Sequence, residues 1–224
     1  YNILFNITKA DSVQALTTAT EITMNFLKTT FLSVLALVAT LGLAQAAPKI
    51  GAPAPAFSAV DTTGKTWSLA ELKGKRVILE WTNDQCPYVI KHYGSGNMQA
   101  LQKEATGAGY IWLSVISSAP GKQGHVSAAE ADALTTSRGA APSAVLIDNG
   151  SLGRAYEAKT TPHLFIIDEA GTLVYRGGID DKPTTDPADI AGANNYVRQA
   201  MAELASGKPI ANPVTRPYGC SVKF

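Results

Sequence analysis

The sequence predicts an α/β domain with a central mixed β-sheet flanked by helices, an N-terminal β-hairpin and an extended C-terminal tail. Three observations lead to this fold class. Buried strand-like runs alternate with helical segments in the middle of the chain, as in a largely parallel sheet. A second hairpin and a last helix follow, and they add antiparallel strands. Residues 208–224 carry three prolines and end in YGCSVKF, which predicts an extended tail.

The domain begins with two short strands. Residues 56–60 and 66–69 are strand-like and enclose a Gly-containing turn at 61–65, which predicts a hairpin. Residues 76–81, RVILEW, form a dense β-branched and apolar run. Such a run is typical of a strand that is buried on both faces of a sheet.

A helix follows this buried strand. Proline is favoured at the first position of a helix, so Pro87 marks a helix start with Cys86 as the N-cap. The glycine-containing triplet at 94–96 predicts an interruption or a kink, after which the helix resumes over residues 97–106.

The second half of the domain adds four strands and three helices. The strands are predicted over residues 109–117, 143–148, 163–168 and 173–178, and the last two form an antiparallel hairpin. The helices are predicted over residues 127–137, 152–158 and 186–206. A capping box of Ser127 and Glu130 opens the first of these helices, and Gly207 closes the last as a C′ glycine.

The composition excludes several classes of protein. Hydrophobic residues make up 46% of the chain and charged residues 17%, as in an ordinary globular protein. The net charge of +1 gives no basic footprint, so we expect no nucleic-acid partner. The dinucleotide fingerprint and the phosphate-loop motif are both absent, and the sequence predicts no cofactor.

The N-terminal segment predicts export. Residues 24–46 combine a basic Lys28, an apolar run over 31–43 and a small-residue cleavage site at 44–46, which is the anatomy of a secretory signal peptide. The apolar run is short for a membrane anchor, since a spanning helix takes about 20 residues. We therefore expect a periplasmic or secreted protein without stable membrane insertion. Residues 1–23 precede the signal peptide and are expected to be upstream sequence that is no part of the domain.

Cys86 is the first candidate functional residue. The backbone N–H groups in the first turn of a helix lack partners within the helix, and their partial positive charge stabilises a thiolate. Helix N-termini lower cysteine pKa values from about 8.5 to as low as about 3.5. The position at the start of a helix after a buried strand therefore predicts a reactive thiol, and the alternative is a small buried apolar residue.

Two further residues are candidates because of their neighbourhood. A Thr-Pro step at residues 161–162 directly before a buried strand is poorly suited to a sheet, since proline donates no ladder hydrogen bond, and one solution is a cis bond in a tight turn. Glu80 stands in an apolar strand six residues before Cys86. If Glu80 faces the sheet–helix interface, its carboxyl pKa is raised by desolvation and it could exchange a proton with the sulfur chemistry. The alternative is an outward-facing residue.

The motifs together resemble the thioredoxin-like redoxins. The residues that carry the likeness are ILEW, the Cys-Pro helix start, TTPHLFIID and EAGTLVYRGGIDD, and it extends over residues 51–207. This group includes the AhpC/TSA-related antioxidant proteins and the exported TlpA/ResA-like thiol–disulfide proteins. The CPYV motif and the C-terminal YGCSVK motif resemble one redoxin subfamily. We accordingly divide the chain into a redoxin domain at 47–207 and a tail at 208–224 that carries Cys220.

The resemblance implies roles for four residues. Cys86 would be the nucleophilic cysteine, and Pro162 would be a cis-proline that packs against it. Thr161 would offer its backbone to an incoming extended thiol partner, and Glu80 would take the place of the buried acid of thioredoxins. The implied activity is thiol–disulfide exchange or antioxidant peroxide reduction, with a protein thiol or disulfide, or a small peroxide, as the partner.

The chain departs from both branches of the group. Val89 stands where a thioredoxin has its second cysteine, and a second alignment places Asn83 at the first cysteine and Cys86 at the second. Asn83 also stands where a peroxiredoxin has threonine. Pro162 stands where a peroxiredoxin has its peroxide-stabilising arginine, for which Arg154 or Arg176 are the substitutes to test.

Cys220, 134 residues after Cys86, leaves three alternatives open. It could be a resolving cysteine, as in peroxiredoxins with a distant tail thiol. It could form a static disulfide that ties down the tail. It could also pair with another chain in a homodimer. The alternative to a redox enzyme is a binding or structural module that uses the two cysteines as a staple or handles a metal. His163, next to Pro162, could instead lie near Cys86 and tune its pKa.

Overall fold

The computed structural model describes residues 48–224, and the segments predicted to be upstream sequence at 1–23 and a signal peptide at 24–46 lie outside them. The described residues form nine strands: β1 (Ser58–Asp61), β2 (Thr66–Ser68), β3 (Val77–Trp81), β4 (Ile111–Ile116), β5 (Ala144–Ile147), β6 (Thr160–Thr161), β7 (His163–Ile167), β8 (Leu173–Gly177) and β9 (Cys220–Ser221).

The same residues form five α-helices and a short 3-10 helix. The helices are α1 (Pro87–Gly94), α2 (Asn97–Gly107), α3 (Ala128–Ser137), α4 (Ser151–Ala155) and α5 (Tyr196–Ala205), and the 3-10 helix is Pro187–Gly192. None of the helices within 48–224 has the length and the apolar character needed to cross a bilayer.

Seven strands form one mixed sheet in the order β2-β1-β5-β4-β3-β7-β8. Strand β4 runs parallel to β3 and to β5, whereas β7 is antiparallel to β3 and β8 is antiparallel to β7. The predicted hairpins are β1–β2 and β7–β8. The fold class predicted from the sequence is therefore confirmed.

Strand β3 is apolar except for Glu80 because both faces of the sheet are covered. Side chains alternate between the faces of a strand. Ile78 packs in a cluster with residues of α1, α2 and α5, whereas Leu79 and Trp81 pack in a second cluster with Tyr156 and Phe165. Burying one such apolar side chain contributes roughly 1.5–3 kcal/mol, so these two layers hold the sheet and the helices together.

The prediction of one continuous helix over 186–206 is wrong, because the structure has two separate elements there. Asp186 caps the 3-10 helix through a hydrogen bond from the Ala188 amide at 2.9 Å. Asn195 then caps α5, accepting from the Arg198 amide at 2.9 Å. A second N-cap inside the predicted segment starts a new helix. Gly207 has a φ of +65°, as the predicted C′ glycine requires.

The register of the sheet brings three chain segments together at one end of the strands. Trp81, the last residue of β3, is paired with His163, the first residue of β7. The loop from β3 to α1 therefore lies beside the step from β6 to β7. The tail returns to the same place, because β9 pairs with β6 in a separate two-stranded sheet.

Candidate functional site

Cys86 lies at the N-terminal end of α1, as the sequence predicted. It has extended backbone angles, φ −81° and ψ 121°, and Pro87 occupies the first helical position. Its amide donates to the Asn83 carbonyl at 3.1 Å, which closes the turn between β3 and the helix. The residue is fully buried at 0% exposure. Its sulfur thus lies at the positive end of a helix and beneath a cover of protein atoms.

The Thr161–Pro162 step packs against this sulfur. Its peptide bond is cis, the geometry that the sequence resemblance implied. The Cys86 thiol donates to the Thr161 carbonyl at 3.0 Å. The contact joins two residues that are 75 positions apart in sequence, and the β3–β7 register produces it.

Cys220 completes the group from the tail. In the antiparallel pair of β6 and β9, Cys220 lies opposite Thr161. The Cys220 amide lies 3.4 Å from the Cys86 sulfur and donates to it. Both cysteines are free thiols, and Cys220 is partly exposed whereas Cys86 is not. The structure therefore brings together four of the five sequence-predicted residues, namely Cys86, Thr161, Pro162 and Cys220.

The two thiols have opposite pKa shifts. Burial on its own raises the pKa of Cys86, but hydrogen bonds from the Cys220 thiol, the Thr161 side chain and the amides of Cys220 and Val89 outweigh it and lower the pKa below the usual value. Burial, the hydrogen bond to Cys86 and the negative charge there raise the pKa of Cys220 to about 11. When the pKa values of two neighbouring groups differ in this way, the proton stays on the group with the higher pKa. Cys86 is therefore the thiol of the pair that loses its proton more readily, and Cys220 is the one that retains its proton.

Glu80 faces inward, so the outward-facing alternative is excluded. Its carboxylate accepts hydrogen bonds from four side chains, namely Tyr93 (2.8 Å), Gln102 (3.1 Å), Trp112 (2.8 Å) and Ser114 (2.9 Å). Burial is the largest influence and raises the pKa of Glu80, and the four hydrogen bonds act in the opposite direction. Of the two orientations that the sequence left open, the structure has the inward-facing one, with the raised pKa that burial implies.

Comparison with known proteins identifies the family. The sequence matches the AhpC/TSA family over residues 50–176, which is more than half of the chain. The chain belongs to the AhpC/TSA family. The match covers Cys86, Thr161 and Pro162, whereas the tail with Cys220 lies beyond it. None of the curated proteins searched matches the chain.

Solved structures share the thioredoxin-like α/β fold of this AhpC/TSA domain. An uncharacterized conserved protein from Geobacillus kaustophilus is 22% identical, with a TM-score of 0.66 over 79% of this chain and 92% of that chain. A hypothetical protein from Sinorhizobium meliloti 1021 is 23% identical, with a TM-score of 0.65 over 79% of this chain and 94% of that chain. Identities this low establish the fold alone.

Three residues that the sequence offered as partners of Cys86 lie elsewhere in the AhpC/TSA domain. His163 is on the same face of β7 as Phe165, whose ring centroid is 4.4 Å away, and this is the face opposite Cys86. Arg176 donates to the Pro48 carbonyl at 2.8 Å. The Arg154 guanidinium lies 5.2 Å from the ring centroid of Phe224. The expectation that His163 tunes the thiol is therefore wrong.

Sequence analysis missed two residues of the site. A Cβ atom at Gly219 would collide with the Thr161 carbonyl, and Gly219 has a φ of +128°, so glycine is required for the tail to approach this closely. Tyr218 is buried, and its hydroxyl donates to Asp180. The YGC order in the tail was the available signal. Between residues 48 and 224, no cluster of three or more potential metal ligands is present.

Proposed function

We propose that the chain is a thiol-redox protein in which Cys86 is the nucleophile and Cys220 is the resolving cysteine of the same chain. The observation that carries the proposal is the 3.4 Å contact between the Cys220 amide and the Cys86 sulfur. Disulfide-bonded cysteines have Cα atoms within about 7 Å of one another, and a contact of this length is consistent with that limit. The opposite pKa shifts support the assignment, because the thiolate is the nucleophile.

Thiol–disulfide exchange would proceed in two displacements. The Cys86 thiolate attacks one sulfur of a partner disulfide, the partner S–S bond breaks, and one partner thiolate leaves. Cys220 then loses its proton and attacks the Cys86 sulfur, which releases the second partner thiolate. The partner disulfide is reduced to two thiols, and the chain is oxidised to a Cys86–Cys220 disulfide. An external dithiol would reset the chain by the reverse exchange.

Glu80 fits the role of a proton-holding group rather than that of a direct acid. Four hydrogen-bond donors surround the carboxylate of Glu80. Within residues 48–224, Glu80 forms no hydrogen bond with Cys86. A proton from this carboxyl would have to travel by way of Tyr93 or Ser114. We therefore propose that Glu80 changes the charge near the site and does not touch the reacting sulfur.

Thr161 would present its backbone to an extended thiol-bearing segment, and in the reduced chain that segment is its own tail. Thr161 and Cys220 already form the β6–β9 pair, so a protein partner that used this edge would displace β9. Cys86 has no exposed surface, so a partner could reach its sulfur only after β9 is displaced. Pro162 would hold the Thr161 carbonyl in contact with the sulfur.

Peroxide reduction is a second candidate, and membership of the AhpC/TSA family favours it. The thiolate would attack the peroxide oxygen, an alcohol or water would leave, and the sulfenic acid would condense with Cys220 and release water. Neither Arg154 nor Arg176 contacts Cys86, so this chemistry lacks the charge stabilisation that those side chains would supply. We rank exchange first for that reason.

A third candidate is a static module in which the two cysteines form a staple, and the complete burial of Cys86 favours it. The redox assignment and the staple differ in the reactivity of the reduced thiol. A staple requires no lowered pKa, whereas an exchanging cysteine does. We also propose that the protein is exported, on the evidence of the signal-peptide pattern at 24–46.

The test is the reaction of the chain with a stoichiometric amount of oxidised glutathione, and intact-mass spectrometry measures the products. The reduced chain should release two glutathione molecules and lose two hydrogens. The Cys220→Ala variant should instead retain one glutathione on Cys86, and Cys86→Ala should react far more slowly. The proposal fails if the wild-type chain is inert or if Cys86→Ala reacts as fast as the wild type. Parallel stopped-flow oxidation with hydrogen peroxide ranks the two redox candidates.

A further inference from the structure

A buried chain of hydrogen bonds lies next to the cysteines, and the proposed function does not use it. Asn97, at the start of α2, contacts Nδ1 of His92 at 2.8 Å. Nε2 of His92 contacts the hydroxyl of Tyr218 at 3.1 Å, and that hydroxyl donates to Asp180. His92, Asp180 and Tyr218 are all buried. Polar groups are costly to bury unless they are paired, so this arrangement calls for an explanation.

The direction of each hydrogen bond follows from chemistry. The Tyr218 hydroxyl has one proton, and its donation to Asp180 leaves its oxygen as an acceptor. Nε2 of His92 must then carry the proton, while Nδ1 accepts from the Asn97 amide group. Burial lowers the pKa of His92 to about 4 and outweighs the opposing effect of Asp180, so the ring is neutral at neutral pH. Each of the polar groups named here therefore has a hydrogen-bond partner.

Tyr218 belongs to the tail, whereas its hydrogen-bond partners belong to the domain. Its ring also packs edge-on against Tyr88 in the first turn of α1, with a centroid separation of 5.7 Å. Tyr218 is two residues before Cys220, which at about 3.3 Å per extended residue is a distance of roughly 7 Å along the chain. Gly219, the residue between them, passes close over the Thr161 carbonyl.

We propose that Tyr218 is the positioning residue of the cysteine pair, and that its hydroxyl, fixed between His92 and Asp180, sets the tail so that Cys220 faces the Cys86 sulfur. This inference rests on the proposed function, because it assigns a means of holding the resolving thiol. A thiol held near its target reacts faster than one that moves freely, since the entropy of bringing the groups together has been lost in advance. The buried network also specifies one position for the tail.

The variant Tyr218→Phe tests this role because it retains the ring contact with Tyr88 and removes the hydroxyl. Tyr156→Phe is the matched control, since the Tyr156 hydroxyl is buried, donates to Pro55 at 2.8 Å and packs in the apolar cluster on the other face of the sheet. Tyr218→Phe loses the two hydrogen bonds of a buried tyrosine hydroxyl, and Tyr156→Phe loses the one hydrogen bond of another. Only Tyr218→Phe loses a contact that connects the tail to the helix of Cys86.

The probe is 5,5′-dithiobis(2-nitrobenzoate). Its reaction with the reduced full chain is measured by stopped-flow absorbance. Attack of Cys86 releases the first thionitrobenzoate, and closure by Cys220 releases the second in a unimolecular phase. We expect Tyr218→Phe to slow the second phase about tenfold, the equivalent of roughly 1.4 kcal/mol, which is the order of magnitude associated with the loss of buried hydrogen bonds. Tyr156→Phe should close at the wild-type rate, although its thermal stability falls. Asp180→Asn, which weakens the acceptor of the hydroxyl, should slow closure by a smaller factor.

Two results overturn the inference alone. One is wild-type closure by Tyr218→Phe, and the other is equal slowing by Tyr156→Phe, which would show that the effect comes from general destabilisation. Wild-type protein that releases no second thionitrobenzoate would overturn the proposed function as well. The pH profile of Cys86 alkylation in Tyr218→Phe gives an independent readout, because a tail that moves away removes the Cys220 hydrogen bond and shifts the profile to higher pH.

Discussion

Thr161 and Cys220 are opposite one another in the antiparallel pair of β6 and β9, and the sulfur of Cys86 contacts both residues. The Thr161 carbonyl accepts from the thiol at 3.0 Å, and the Cys220 amide donates to the sulfur at 3.4 Å. The tail is thus part of the immediate surroundings of Cys86. Changes in the tail should therefore change the chemistry of a residue 134 positions earlier.

Gly219→Ala should weaken the docking of the tail. The new Cβ would collide with the Thr161 carbonyl, and the backbone angle of +128° disfavours any residue but glycine. Strain of this kind costs on the order of 1–3 kcal/mol. We expect slower closure of the Cys86–Cys220 disulfide, measured with the thionitrobenzoate assay, and a lower melting temperature.

Gly207→Ala is the control for this variant. Gly207 also has a positive φ, +65°, but no atom lies within 4 Å of the position that its Cβ would take. It should lose stability through the backbone angle alone and should close its disulfide at the wild-type rate. Equal closure rates in the two variants would contradict the importance of the tail's close approach.

The pKa of the Cys86 thiol should lie below the ordinary value of about 8.5. Only the thiolate reacts with iodoacetamide, so the alkylation rate of Cys86 rises with pH through this pKa. Cys220→Ala removes the largest of the influences that lower it, the hydrogen bond from the Cys220 thiol, and the midpoint should move to higher pH. Residue-resolved mass spectrometry across a range of pH values measures both midpoints. An unchanged midpoint in Cys220→Ala would count against the contact.

Local sequence was sufficient to predict the elements around Cys86. The apolar run before it, the proline after it and the acid within the strand are all features of one short segment, and their positions follow from strand and helix rules. The cis bond at Pro162 and its place beside Cys86 depended on the resemblance to redoxins. Glu80 was found because a carboxyl in an otherwise apolar strand is unusual.

The position of the tail could not be derived from local rules. Cys220 has three open pairings in the sequence, because no propensity relates it to a residue 134 positions away. The chain of Asn97, His92, Tyr218 and Asp180 likewise joins three separate parts of the sequence. The division of the helix predicted over 186–206 was missed for a different reason: Asn195 was not recognised as a second N-cap.

Glu80 should make stability depend on pH. Its folded pKa is raised, mainly by burial, so the folded chain binds this proton more tightly than the unfolded chain does. The contribution of Glu80 to stability is then fully present below the unfolded pKa of about 4.3 and falls as pH rises from there toward the folded pKa. Glu80→Gln carries no titrating proton. Melting temperatures of both proteins from pH 4 to pH 8 should show the wild type losing stability relative to Glu80→Gln as pH rises.

Glu203→Gln is a control for this experiment, since Glu203 is a partly exposed glutamate on α5. It makes the same change of side chain outside the buried core, so its profile shows what the substitution of a partly exposed glutamate does by itself. A constant difference between the wild type and Glu80→Gln over the whole pH range would contradict the raised pKa.

Peptide mapping of the full chain after mild oxidation with diamide tests the pairing of Cys86 and Cys220 most directly. We predict one disulfide between them within a single chain, formed at a first-order rate that does not change with protein concentration. A disulfide between two chains, a rate that rises with protein concentration, or two cysteines that stay reduced would contradict it.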